Sequence, residues 1–371
     1  MSATRLMKDG LGIEALNRIA DGLSAVSPEF NRRAFLIRAR KNLGSLELKQ
    51  RVVHIIHIAH DFLPDDFEVT AKALRQLPQV WNYGDVDNPL RGFAAWPIID
   101  YISVYGLNHP QQSLATLKTL TGLFSAEFAV RPFIQLHFKY TYRQLQEWVE
   151  SDNEHVRRLV SESTRPRLPW GIRLTEFIKD PKPILPLLEK LKSDESLYVR
   201  RSVANNLNDI SKDHPEKVIS ICRRWKKDNN EYSNWIVKHA TRTLVKNGHA
   251  EVFALLGYNN KTDIKISRFR ITPKKIKVGQ SIAFCFEIQA GNRKQEFVLD
   301  YAIHYRKANK KLVPKIFKLK NCRLKKNEIL TISRSHSFKP ITTRKYYPGE
   351  HLIALHINGV EFSRLPFHLT M

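Results

Sequence analysis

The sequence predicts a multidomain α-then-β chain: a HEAT-like α-helical solenoid followed by an immunoglobulin-like β-sandwich. Three observations predict it. Helical periodicity runs to the polar stretch YNNKTD (Tyr258–Asp263) and stops there. Within the helical part, one helix core recurs 43 residues further on, from Val156 to Val199. Beyond the polar stretch, short strand-like segments alternate with turn residues. The expected organisation is residues 1–257 helical, 258–263 a linker and 264–371 the sandwich. A length of 371 residues agrees, being too long for one ordinary domain.

The repeat is carried by Val156-Arg157-Arg158-Leu159-Val160 and Val199-Arg200-Arg201-Ser202-Val203, with weaker echoes at Val130-Arg131 and Ile236-Val237. A helix pair cannot bury its apolar face alone, so successive pairs are expected to stack into a solenoid. In the second repeat helix Val199, Val203, Leu207 and Ile210 form the core stripe. At about 100° per residue, Tyr198, Ser202, Asn205 and Asp209 gather on another face. The same phase puts His155, Arg158 and Glu162 on the matching face of the first repeat helix. Glu162 and Asp209 thus project from equivalent faces, and two readings stand for them: ordinary solvent-facing acids, or a pair that acts together. Arg158 lies four residues before Glu162, within reach of an ion pair that would hold the carboxylate ionised. Two prolines and a glycine in Arg165-Pro166-Arg167-Leu168-Pro169-Trp170-Gly171 end that helix and set Trp170 on an irregular loop. There it is either a packing plug or a ring free to stack on a base.

The expected strands are Lys265–Thr272, Ser281–Gln289, Glu296–Tyr305, Val313–Leu319, Ile329–Ser335, His351–Ile357 and Val360–Thr370. Ile282, Phe284, Phe286 and Ile288 alternate with a period of two, burying one face. Asn358-Gly359 is a strong hairpin signal. Seven short strands over this length fit an immunoglobulin-like sandwich. Cys285 and Cys322 are too close in sequence for the usual inter-sheet bridge. With Cys222 they make three cysteines, which suits reduced thiols in a reducing compartment.

Charge narrows the function. The chain carries 61 Lys and Arg against 36 Asp and Glu, a net +25. Residues 261–371 hold 24 of those bases and 7 of the acids, or +17, leaving +8 for the rest. Arg306–Lys326 has ten bases in 21 residues and no acid. Such a run is either a solvated face or a phosphate-binding surface, and the overall excess points to a polyanionic partner. No apolar run reaches the ~18 residues of a membrane span, and Met1–Gly10 lacks a signal-peptide pattern. His54, His57 and His60 resemble a metal cluster, but the third turns away from the first two on a helix, so no metal is expected there. Cys222, Trp96, Trp148 and Trp225 read as core residues. No phosphate-cradling glycine loop or other cofactor motif is present, so no cofactor is expected.

The runs NEHVRRLVSESTRPRLPWG (Asn153–Gly171) and DESLYVRRSVANNLNDISKDHP (Asp194–Pro215) resemble the AlkC branch of the AlkC/AlkD alkylpurine DNA glycosylases. So do Pro97–Leu107 with Asn108-His109-Pro110 after it, and Phe124–Phe133. The basic C-terminal region is similar to the immunoglobulin-like extension of one AlkC subgroup. This resemblance implies hydrolysis of the N-glycosidic bond of cationic alkylated bases, 3-methyladenine and also 3-methylcytosine, in double-stranded DNA. It implies catalytic Glu127, Glu162 and Asp209, with Trp170, Arg158, Arg165, Arg201 and Asn205 meeting the lesion or the DNA. A base alkylated at N3 already bears positive charge and leaves without a general acid. Carboxylates then stabilise the oxocarbenium-like sugar and align water. The expected setting is a monomer in the bacterial cytoplasm, on the nucleoid when bound to DNA and with no membrane association. The competing expectation is a non-catalytic HEAT-like protein that recognises bent or branched DNA.

Overall fold

The computed structural model describes residues 6–258 and 262–371. Among these residues no helix is long and apolar enough to cross a membrane. The chain divides into two compact units. The first runs to Asp213 and takes in Asp228–Ala240; the second joins His214–Lys227 to Thr241–Met371. The helices Pro215–Lys227, Arg242–Lys246 and Ala250–Leu255 therefore belong with the strands that follow them. Of the expected linker, residues 259–261 lie outside the described residues.

The first unit is built of helix pairs, and its repeat is visible in backbone chemistry as well as in sequence. Helix Glu154–Ser163 begins at Asn153, whose side chain accepts from the His155 N–H at 2.9 Å and so caps it. Arg157 donates from Nη1 to the carbonyls of Ser151 and Asp152 at 2.9 and 3.0 Å. One repeat later, in helix Leu197–Ile210, Arg200 donates to the carbonyls of Asp194 and Glu195, both at 2.7 Å. Each arginine satisfies the open carbonyls of the loop that leads into its own helix. Arg157 also reaches Asp194 of the next repeat with a two-pronged ion pair at 2.7 and 3.1 Å, tying the helix pairs together. The predicted core stripe is buried, with Val199, Val203, Leu207 and Ile210 at most 1% exposed. Asn206, fully buried, donates to the Ser161 carbonyl at 2.8 Å and to Thr164 at 3.1 Å, fastening the two repeat helices to each other.

Among the described residues the second unit holds eight strands: β1 Ile264–Thr272, β2 Lys275–Lys277, β3 Ser281–Ala290, β4 Gln295–Arg306, β5 Leu312–Leu324, β6 Ile329–Ser337, β7 Gly349–Ile357 and β8 Val360–Thr370. They form two sheets, β1-β3-β6 and β2-β8-β7-β4-β5. The four alternating residues of β3 lie between them, at most 1% exposed, packed with Phe297, Leu299 and Ile303 of β4. All seven expected strands are present. The addition is β2, three residues paired parallel to β8, too short to show any alternation in sequence. Cys285 and Cys322 are free thiols.

Asn358 and Gly359 turn β7 into β8 with φ of 48° and 78°, as a tight hairpin of the twist-matching kind requires. A second glycine, Gly248 at φ 73°, meets this turn backbone to backbone, and a Cβ on Gly359 would lie 2.2 Å from its Cα. Helix Ala250–Leu255 is thereby seated on the hairpin tip, its Phe253 beside Gly359.

The basic stretch 306–326 maps chiefly onto β5, an edge of the five-stranded sheet, where Lys315, Lys318, Lys320 and Arg323 are exposed. The opposite edge, β2, exposes Lys275 and Lys277. Lysines on sheet edges discourage pairing with other chains, a role independent of any ligand.

Candidate active site

The acids of the first unit come from three helices. Glu127 opens helix Glu127–Leu136, where the positive end of the helix dipole favours it. Glu162 lies in the last turn of Glu154–Ser163, and Asp209 in that of Leu197–Ile210. All three are buried, at 9%, 5% and 2% exposure. Glu162 and Asp209 therefore do not face solvent as ordinary surface acids do.

Two arginines join them. Arg158 Nη1 lies 3.5 Å from Glu127 and donates to Ser125, while Nη2 lies 3.7 Å from Glu162. Arg165 donates from Nη1 to Glu162 at 2.7 Å and from Nε to Asp209 at 2.9 Å. Ser202 donates to the other Glu162 oxygen at 2.6 Å, and Lys212 to the other Asp209 oxygen at 2.8 Å. Burial alone would lower the pKa of Arg158 and Arg165, but the facing carboxylates outweigh it and raise both. Glu127 goes the other way: burial raises its pKa against the pull of Arg158. The cluster thus sets one hard-to-ionise carboxyl beside two acids that share the Arg165 guanidinium.

The loop after Ser163 is fixed by Arg131, whose side chain is fully buried. It donates to the carbonyls of Ser163, Arg165 and Ile172 at 2.7, 2.8 and 2.8 Å. Burial and neighbouring Arg165 push its pKa down to about 10. On this clamped loop Trp170 takes a left-handed φ of 66°, a conformation that a non-glycine residue holds only when its surroundings impose it. Its carbonyl accepts from Lys49 at 2.7 Å. The residue is 52% exposed, and its ring is parallel to that of buried Trp96, with centroids 6.5 Å apart and planes 2° apart. Trp96 in turn donates from Nε1 to Asp100 at 2.7 Å. Burial, partly offset by that hydrogen bond, raises the Asp100 carboxyl to about 7, and its Oδ1 has no hydrogen-bond partner among the described residues.

Of the eight residues singled out in the sequence, Glu127, Arg158, Glu162, Arg165 and Asp209 form one connected cluster. Trp170 sits on the adjoining loop. Arg165 is only 8% exposed and is occupied by the two carboxylates, so its first role here is to bridge acids. Arg201 is exposed and Asn205 half-buried on helix Leu197–Ile210. The sequence reading did not single out Arg131, Asp100, Ser202, Lys212 or Tyr198, whose ring lies 4.5 Å from the Arg158 guanidinium. Three had a signal: Ser202 and Tyr198 shared the polar face of Asp209, and Asp100 is the one charge in the apolar helix Trp96–Tyr105. The histidines of the discounted metal motif are engaged separately, His54 with the Ala39 carbonyl, His57 with Tyr105 and His60 with Tyr101.

A helical repeat scaffold gathering buried acids, followed by an immunoglobulin-like sandwich, defines a recognisable class. The family of DNA alkylation repair enzymes matches residues 124–244, and the C-terminal immunoglobulin-like domain of YhaZ matches residues 265–371. The uncharacterised protein YhaZ of Bacillus subtilis (strain 168) is 38% identical, over 98% of this chain and 99% of its own. The alkylpurine DNA glycosylase AlkC of Pseudomonas fluorescens, solved bound to DNA containing an abasic site analogue, is 38% identical. It superposes with a TM-score of 0.91 over 99% of this chain and all of its own. This chain belongs to the AlkC branch of the AlkC/AlkD family, in the form with an immunoglobulin-like C-terminal domain.

Proposed function

We propose that this protein is a cofactor-free DNA glycosylase that releases cationic alkylated bases, 3-methyladenine and 3-methylcytosine, from double-stranded DNA. The observation that carries this reading is the meeting of Glu127, Glu162 and Asp209, from three helices, around Arg158 and Arg165. The lesion brings its own positive charge, so the enzyme has no proton to supply to the leaving base. What it must do is favour a sugar that turns positive and hold a water against it. Buried carboxylates do both, because their field is strong where bulk water is thin. The arginines hold Glu162 and Asp209 in place before DNA arrives, so little reorganisation is left for the reaction itself. Lys212 is 40% exposed, and a backbone phosphate can draw it away from Asp209, which then turns its charge toward the sugar. Trp170 offers an exposed π face to a cationic ring. In this reading the sandwich grips phosphates through its lysine-bearing edge, and the protein acts as a cytoplasmic monomer on the nucleoid.

The deciding experiment is release of free base from duplex carrying 3-methyladenine, with Glu162→Gln and Asp209→Asn in parallel. Wild type is expected to release base, and each variant to lose about two orders of magnitude or more, the scale on which one electrostatic stabiliser acts. Undiminished release by both variants overturns the site. Salt-sensitive binding without release by wild type establishes instead a DNA-recognising scaffold with no chemistry.

A further inference from the structure

Outside the acid cluster, one group of side chains in the second unit stands out. His304 on β4, His356 on β7 and Glu361 on β8 bring one ligand atom each to within 4.8 Å of one another. They come from three consecutive strands of the five-stranded sheet. They share the face opposite the core: the core residues of β4 and β7 are odd-numbered, Phe297 to Tyr305 and Ile353 to Ile357, and Glu361 pairs with His356 across a register shift. Between the two histidines in register lie Ala302 and Ala354, paired across β4 and β7 and fully buried. Two methyl groups at that point leave room for the imidazoles to lean toward each other along the sheet.

The hydrogen bonding is of the kind that precedes ligation. His356 Nδ1 lies 3.3 Å from the Gly359 carbonyl oxygen, which can only accept. Nδ1 therefore carries the proton, and Nε2 is left with its lone pair. That nitrogen is buried and has no hydrogen-bond partner among the described residues, and the same is true of His304 Nε2. Glu361 splits its two oxygens: Oε1 accepts from Arg364 at 2.7 Å, while Oε2 lies 3.9 Å from His304 Nε2. A backbone carbonyl behind one imidazole and an arginine behind the carboxylate are the outer partners that fix metal ligands in place. Two buried nitrogens without hydrogen-bond partners among the described residues, in a group that also holds a carboxylate, need a partner of opposite chemistry, and a cation is the simplest.

We propose that His304, His356 and Glu361 form a binding site for a divalent transition-metal ion of the zinc type. Two imidazole nitrogens and one carboxylate oxygen are a donor set for zinc, with the fourth position open. Ligand bonds of about 2.0–2.2 Å at tetrahedral angles place donor atoms some 3.3 Å apart. The 3.9 Å between His304 and Glu361 closes to that by a small turn of the glutamate. The ion would clamp β4, β7 and β8 beside the hairpin on which Gly248 sits. This site stands apart from the base-release reading and does not depend on it.

The test uses the full-length protein, stripped with chelator and then titrated with Zn²⁺ alone near neutral pH. The chain has 14 histidines, so adventitious zinc is separated by comparison with Glu361→Gln and His356→Ala. Wild type is expected to hold one zinc ion more tightly than either variant, by roughly tenfold or more. Its melting temperature should rise with zinc more than theirs does. Zinc affinity and zinc-induced stabilisation unchanged in Glu361→Gln would overturn the site; that carboxamide fits the same space, so the comparison stands even where a histidine variant misfolds. Absence of zinc binding by wild type would overturn it equally and leave a water-filled His304–Glu361 pair.

Discussion

Glu162 and Asp209, in the last turns of successive repeat helices, accept hydrogen bonds from one guanidinium, that of Arg165. The repeat thus does more than stack helices. It delivers two like charges to one point, where a single buried cation keeps them from repelling each other.

Removing that cation is expected to be costly. Arg165→Ala leaves two buried carboxylates facing each other and should destabilise the protein by roughly 3–5 kcal/mol, as breaking buried ion pairs does. Adding Glu162→Gln and Asp209→Asn to Arg165→Ala should recover part of that loss. Urea unfolding of the variants reads the coupling, and additive effects would mean that the three residues are energetically independent.

Asp100 makes stability depend on pH. Its folded carboxyl is raised to about 7, so between its unfolded value and about 7 the folded state binds the extra proton. Stability then falls as pH rises through that window, and the cost is complete above it. Asp100→Asn keeps an acceptor for Trp96 and removes the titration. The melting temperature of the variant relative to wild type should climb from pH 5 to pH 8, and a constant difference would show that Asp100 ionises normally.

Trp170 should separate stability from function. Its left-handed backbone is a conformation glycine adopts freely, so Trp170→Gly relieves strain while losing the parallel contact with Trp96. Folding stability should stay within about 1 kcal/mol of wild type, since backbone strain of this kind is worth about 1–3 kcal/mol. Base release should fall about tenfold or more, the scale of a lost base–aromatic stack. Equal losses of both would make the ring a packing element.

The lysines of β5 test how DNA is gripped. Replacing Lys315, Lys318 and Lys320 together by Gln should shallow the dependence of DNA affinity on salt by roughly 2–3 in log–log slope, if each meets one phosphate. These side chains are exposed, so the fold should be unaffected. An unchanged slope would leave them the role of edge protection alone.

Much of this was legible in the sequence because repeats and alternation leave periodic marks. The Val-Arg-Arg core fixed the phase of both repeat helices, and that phase set Arg158, Glu162, Ser202 and Asp209 on matching polar faces. What stayed hidden depends on reach rather than period. Arg131 clamps a loop more than thirty residues away through backbone carbonyls, which carry no sequence signature. Arg165, in a proline-broken segment, belongs to no helical face from which its direction could be inferred. His304 and His356 meet only because β4 and β7 pair across a long connection with two alanines between them.

The seat of Gly248 on Gly359 bears on how such proteins can be taken apart. A cut at the polar run would strip the hairpin of the helix that rests on it, and helix Pro215–Lys227 belongs to the same unit on the far side of an insertion. The sandwich is therefore not a tail that evolution or an engineer can snip off and graft elsewhere. Any exchange between relatives has to move an interleaved set of segments at once, with both glycines travelling together.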